Sequence, residues 1–358
     1  MSLFVLLAAL PSLYWAQPVG TAPAVRRAGI ERLCVPPEAA AAWRNAGFTV
    51  VPFGERERAA RVKLHAPGVA GHAEVASATN RPWVFANGWR FLRTGGGRYW
   101  CDVPAGQAAL AAAEAFVYGA DEVQAVDPAA LEDVGHMLAF LSSVPEVELP
   151  AVADVAVQDD GSPLVAEVLN LMARHNLLFK VVHDPAADVP LNVRIGSEEF
   201  TRKDALNPEA FALSVRRRLT DERRSLRLYG SEAVLGRLVR DGSRARLHLL
   251  NYGGRPIEGL RVRLLGSWAP PAALVFGEGR APVEDYVAGG GATEFSLRTL
   301  GAYAVVDLRA AKTDYLPKNS STAPHRRAEA MPPVEKITTP STPWARTRSS
   351  VRVSLSGG

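Results

Sequence analysis

A multi-domain fold, α/β followed by all-β, is predicted by three features of the 358-residue sequence. Apolar, β-branched runs alternate with helical patterns over residues 23–145, and a second strand–helix–strand pattern occupies 151–235. The hydrophobic period then falls to two over 243–309. These segments are expected to form a partial or shortened (β/α) barrel-like region, a small α/β unit and a C-terminal antiparallel β-sandwich. Roughly 100–200 residues per domain suits two or three modest domains, and an apolar content of 47% suits packed cores rather than disorder.

The first region opens with a short apolar run at 30–35 that two prolines stop, which reads as a buried strand. Residues 37–47 carry Pro and Glu at the start, Ala in the middle and Gly at the end, the order of helix start and stop signals. A second strand at 48–53 completes a βαβ unit, implying a parallel pair and a right-handed crossover. Strands are expected at 61–65, 83–91 and 122–126, and helices at 107–118 and 131–141. The last helix places Leu131, Val134, Leu138 and Leu141 on one stripe. About 120 residues is roughly half of the ~250 in a complete eight-stranded barrel, hence the shortened form.

The second unit has a strand at 152–157, a helix at 162–176 that Ser162 and Pro163 start, and a strand at 177–182. An Arg-rich helix at 211–219 reads as a solvated face. Five short strands follow, at 245–252, 260–265, 273–276, 293–297 and 302–308. Leu260, Val262 and Leu264 alternate with Arg261 and Arg263, so one sheet face is buried and the other wet.

Two terminal segments stand apart. Residues 3–16 form an uncharged apolar run, too short for a bilayer span and suited to a signal-peptide core over 1–16, from which a secreted or periplasmic location is expected. A buried N-terminal strand or helix is the alternative. Residues 312–358 are rich in Pro, Ser, Thr and Arg without a period and are expected to be disordered. That tail holds eight Lys or Arg against three acids, leaving 33 basic and 34 acidic groups elsewhere. A nearly neutral body lacks the electrostatic footprint of a nucleic-acid binder. Cys34 and Cys101 lie 67 positions apart in apolar surroundings and read as buried free thiols, with one disulfide as the alternative. No Cys/His spacing suits a metal, and neither a phosphate loop nor a Gly-x-Ser-x-Gly elbow is present, so no cofactor is expected.

Chemistry on a parallel α/β scaffold sits at the carboxyl ends of strands. That rule selects His65, Glu74, Asn87, Trp89 and Asp127. Glu74 and Asp127 are candidate catalytic carboxyls; His65, Trp83, Asn87 and Trp89 are candidate sugar contacts, with core packing as the other reading of both tryptophans. Glu114 falls inside the apolar stripe of an Ala-rich helix, where an unpaired carboxylate is costly. It is either an acid with a raised pKa or a structural group paired with Arg90 or His136.

With Pro82–Phe91 (PWVFANGWRF), residues 112–121 (AAEAFVYGAD) and the order of the three segments, the chain resembles bacterial β-galactosidase-type glycoside hydrolases from about residue 25 to 308. The resemblance implies a barrel, an amidotransferase-like domain used in trimerisation and a C-terminal β domain, and with them a carbohydrate partner and a homo-oligomer. The family's two catalytic glutamates have no counterpart motif here. An exported glycoside hydrolase and a non-catalytic carbohydrate-binding or assembly protein are therefore both carried forward, with a purely structural exported protein as a third reading.

Overall fold

The computed structural model describes residues 10–70 and 83–311. Its first region runs β1 (Ser12–Tyr14), α1 (Ala22–Arg27), β2 (Arg32–Val35), α2 (Ala40–Asn45), β3 (Thr49–Pro52), α3 (Glu55–Ala59) and β4 (Val62–Leu64). After β5 (Gly68–Ala70) and β6 (Trp83–Phe85), which form a small antiparallel pair, come α4 (Gly88–Arg93), β7 (Arg98–Val103), α5 (Ala108–Tyr118), β8 (Asp121–Val126) and α6 (Leu131–Ser143). Six of these strands make one parallel sheet, in the order β3-β2-β1-β8-β7-β4. The first and last strands are thus neighbours, and the free edges belong to β3 and β4, which succeed each other in the chain.

The two faces of this sheet differ. Leu13, Trp15, Leu33, Val35, Cys101 and Val103 face the helices in a large core. Residues of the opposite parity, Tyr14, Cys34, Trp100 and Val123, join Phe53 in a small separate cluster. Arg58 of α3 lies over the rings of Tyr14 and Trp100, at 5.3 and 5.0 Å, and closes that face with cation–π contacts. Cys34 and Cys101 are both buried free thiols and fall on opposite faces, which separates them by the strand pleat.

Residues 12–15 form the middle of the sheet, with Leu13 and Trp15 buried, and this strand joins β2 to β8. Other expectations change here. Residues 83–91 are not one strand: β6 ends at Phe85, and Asn87 and Gly88 turn the chain into α4. The Gly95–Gly97 stretch joins α4 to β7. Beyond it, β7 is a sheet strand that the sequence did not announce.

The second region comprises β9 (Val155–Gln158), α7 (Pro163–Arg174), β10 (Phe179–Val182), β11 (Leu191–Val193), α8 (Arg202–Ala205) and α9 (Pro208–Leu219), with a parallel sheet ordered β10-β9-β11. The Ser162 hydroxyl accepts from the Val165 amide, capping α7 as its sequence predicts. Asp159 receives both Nε and Nη2 of Arg93, a fork that fastens α4 to this region.

In the third region β12 (Leu226–Tyr229), β13 (Val234–Arg240), β14 (Arg244–Asn251), β15 (Ile257–Leu265), β16 (Ala272–Val275), β17 (Gly279–Pro282), β18 (Glu284–Gly289), β19 (Ala292–Leu300) and β20 (Tyr303–Arg309) form two antiparallel sheets. Their orders are β12-β15-β19-β18 and β13-β14-β20-β16-β17. The five strands read from the sequence are present; β12 and β13 precede the expected boundary at 243, so the all-β region starts near Leu226. Leu226, Leu260, Val262 and Phe295 of one sheet share a core with Leu247, Leu249, Val275 and Val306 of the other. Strand β14 is buried on both faces because Leu250, with Tyr303 and Val305 beside it, packs against the first region. Phe140 of α6 meets the rings of Phe276 and Tyr303 edge-on at 5.6 and 5.9 Å.

Among the described residues no helix is long and apolar enough to cross a membrane. Gly135 of α6 faces α1, and a Cβ there would collide with the Ala28 carbonyl oxygen. Gly135→Ala is therefore expected to cost about 1–3 kcal/mol through overpacking. A lower denaturant midpoint at unchanged m-value checks this.

Candidate functional site

Parallel strands bring their carboxyl ends to one edge of the sheet, where the loops leave space that no strand fills. At that edge a cleft of about 370 Å³ is lined by Tyr14 at the end of β1 and Gln17 beyond it, Asp102 on β7, and Ala125 and Asp127 at the end of β8. Asp102 and Asp127 are both exposed and sit on adjacent strands, where Asp102 pairs in register with Ala125. One strand spacing and two residues of rise place their Cα atoms about 8 Å apart.

Each carboxylate has a local tether. Asp102 is ion-paired with Lys63 of β4 at 2.9 Å, and Lys63 also lies 4.8 Å from the centre of the Trp100 ring. Both members of the pair are exposed, so it contributes little to stability. Asp127 accepts from the Ala129 amide at 2.8 Å, capping a short 3₁₀ turn before α6. The cleft thus presents two carboxylates and an amide around a half-buried tyrosine.

The other expected site residues are distributed differently. Glu74 lies outside the described residues. Glu114 is fully buried on the opposite side of the sheet from the Tyr14 cluster, and its partners are not the expected Arg90 or His136. Its Oε1 accepts from the amides of Asn87 and Gly88 at 2.7 and 3.2 Å and from the Tyr252 hydroxyl at 2.6 Å. Its Oε2 accepts from Asn87 Nδ2 at 3.2 Å, and that same amide donates to the His65 carbonyl at 3.0 Å. Burial raises the Glu114 pKa against the pull of these donors.

The structure therefore brings Asn87 and Glu114 together as a buried brace, which the exposed His65 joins only through its backbone carbonyl, and leaves Asp127 apart from them in the cleft. Trp83 has the Arg174 guanidinium over its ring at 4.0 Å. Trp89 is buried in the core of the second region with Arg90 over its ring at 4.1 Å. The ring faces considered for sugar stacking are engaged within the protein. Sequence reasoning missed Asp102, because β7 went unseen, and Tyr252, which meets Glu114 across 138 positions. Among the described residues no cluster of three or more His, Cys, Asp or Glu is placed to hold a metal.

No family model matches the sequence, and no curated protein matches it. Solved structures similar to it are glycoside hydrolases. An α-L-fucosidase, isoenzyme 2 from Paenibacillus thiaminolyticus, is 10% identical over 77% of this chain and 71% of its own, with a TM-score of 0.48. A GH42 β-galactosidase from G. stearothermophilus is 10% identical over 69% of this chain and 53% of its own, with a TM-score of 0.36. A maltogenic α-amylase from Thermotoga neapolitana is 9% identical over 84% of this chain and 99% of its own, with a TM-score of 0.26. At such identities and scores no residue correspondence passes from them to this chain.

A second buried carboxyl tests the electrostatics of the sheet. Burial pushes the Glu122 pKa up to about 8, aided by the nearby Glu114 charge and opposed by donors from Cys101 and Gln124. The folded state thus holds this proton from the ordinary value of 4.5 to about pH 8, while the unfolded chain releases it. Stability is expected to fall as pH rises through that window. Glu122→Gln keeps an acceptor for both donors without the charge; it should flatten the decline and raise the melting temperature at pH 8 by several degrees, measured by scanning calorimetry across pH 5–8.

Proposed function

We propose that this chain is a carbohydrate-active protein and that the cleft between Asp102 and Asp127 receives the sugar. The reading is carried by one observation: two exposed carboxylates stand side by side at the carboxyl ends of neighbouring parallel strands, beside Tyr14 and Gln17. Carboxylates accept from sugar hydroxyls, and an amide side chain both accepts from and donates to them. Neighbouring first and last strands agree with a barrel shortened and left open between β3 and β4, whose ligand edge this would be.

Binding without turnover fits the site best. Glycoside hydrolysis needs one carboxyl held protonated beside the bond. Asp102 and Asp127 are both exposed and Asp102 is ion-paired with Lys63, while the enclosed carboxyls Glu114, Glu122 and Asp154 are satisfied inside the protein and do not line the cleft. A second reading, an inverting hydrolase, rests on the two exposed carboxylates standing on neighbouring strands, and it requires their carboxyl groups to lie roughly 6.5–9.5 Å apart.

Calorimetric titration with a panel of neutral and acidic oligosaccharides, run beside an assay for released sugar, separates these readings. The expected result is binding that Asp102→Asn and Asp127→Asn each weaken about tenfold, as loss of a charged acceptor implies, with no sugar released. Asn still caps a helical turn, and the surface ion pair is worth little, so both variants should fold. Release that either variant abolishes would establish the hydrolase. Binding indifferent to both variants, or no binding across the panel, overturns the sugar cleft.

A further inference from the structure

A second cavity, of about 410 Å³, opens where the ends of α5 and α6 meet β13 and β14. Phe116, Val117, Leu141, Val144 and Val239 give it an apolar wall. Arg237 of β13 also lines it, and its guanidinium differs in circumstance from the others on the sheet. Nη1 donates to the Val117 carbonyl, the group lies 4.7 Å from the Tyr118 ring centre, and Nε is buried with no hydrogen-bond acceptor. Among the described residues no carboxylate is ion-paired with it.

The neighbouring charges are accounted for. Arg246 forks onto Asp307 and donates to the Pro145 carbonyl. His248, its pKa held well below the ordinary value by burial, shares a 2.7 Å hydrogen bond with the Tyr303 hydroxyl. Glu146 and Glu148 stand exposed at the rim, and neither reaches Arg237. Arginine does not give up its proton in proteins, and a charge withdrawn from water is retained where a counter-charge meets it. A concave apolar wall with a convergent cation that no carboxylate meets is the form of a small-molecule site.

We infer that this cavity binds an organic anion, an apolar body carrying one carboxylate, with the carboxylate seated on Arg237. The guanidinium charge supplies orientation and the Phe116–Val239 wall takes the hydrocarbon. This ligand is distinct from the sugar of the cleft, which involves none of these residues.

Octanoate, octanol and acetate serve as probes in calorimetric titration of the intact protein. Octanoate is expected to bind at least tenfold tighter than octanol, and acetate not measurably. Arg237→Gln should weaken octanoate at least tenfold. Ser142 lies exposed on the rim of the cavity, so Ser142→Trp should obstruct octanoate while the circular dichroism spectrum stays that of the native protein. Octanol binding as tightly as octanoate, no octanoate binding, or affinity unchanged in Arg237→Gln would overturn the site. Should Arg237→Gln fail to fold, undiminished octanoate binding by Ser142→Trp would overturn it alone.

Discussion

The Glu114 carboxylate is the polar centre on which the packing of the three regions depends. It lies inside an Ala-rich helix, fully buried, where an unsatisfied acceptor would cost several times the net worth of an ordinary hydrogen bond. Four donors meet it: two backbone amides that open α4, the Asn87 side chain and the Tyr252 hydroxyl. The donors come from two pieces of chain, the Asn87-Gly88 step and Tyr252. The amides hold α4, whose Trp89 and Arg93 enter and fasten the second region. Tyr252 draws the end of β14 onto α5, and β14 carries the sheet it belongs to. Gly88 is required at this junction, since any side chain there would collide with the Tyr118 ring.

Much of the fold could be read from the residues wherever a single period dominates. The stripe of α6 and the Leu-Arg alternation of β15 are faces of half-buried elements, and their bounds fall close to expectation. Elements buried on both faces are harder. Strand β1 contributes Leu13 and Trp15 to one core and Tyr14 to the other, so its sequence is continuously apolar, like a leader. Residues 83–91 are apolar throughout because β6 and α4 are each enclosed, and only the Asn87-Gly88 step separates them. Strand β7 has the opposite problem: Arg98 and Asp102 at its two ends are exposed, which hid it in a run that also followed three glycines.

The same logic governs the candidate site. Asp127 was legible because β8 was, and the rule that ligands gather beyond strand ends then applies directly. Asp102 became visible only with its strand. Glu114 stood out as a charge in an apolar stripe, yet its partners could not be named, since pairing across 138 positions leaves no local trace. Carboxyl groups here divide by environment: those enclosed by the cores are structural acceptors, and those at the sheet edge stay hydrated and available.

The placement of β1 between β2 and β8 sets an order of events in synthesis. Ser12 pairs with Val123, so β1 meets this neighbour only after 111 further residues have been made. At roughly 5–20 residues per second that interval is about 6–20 s. Until then a run of aromatic and aliphatic side chains has one edge and much of both faces uncovered. A nascent chain of this design offers an extended apolar segment to chaperones for most of the translation of its first region, and its topology is committed late, when the end of that region closes upon its beginning.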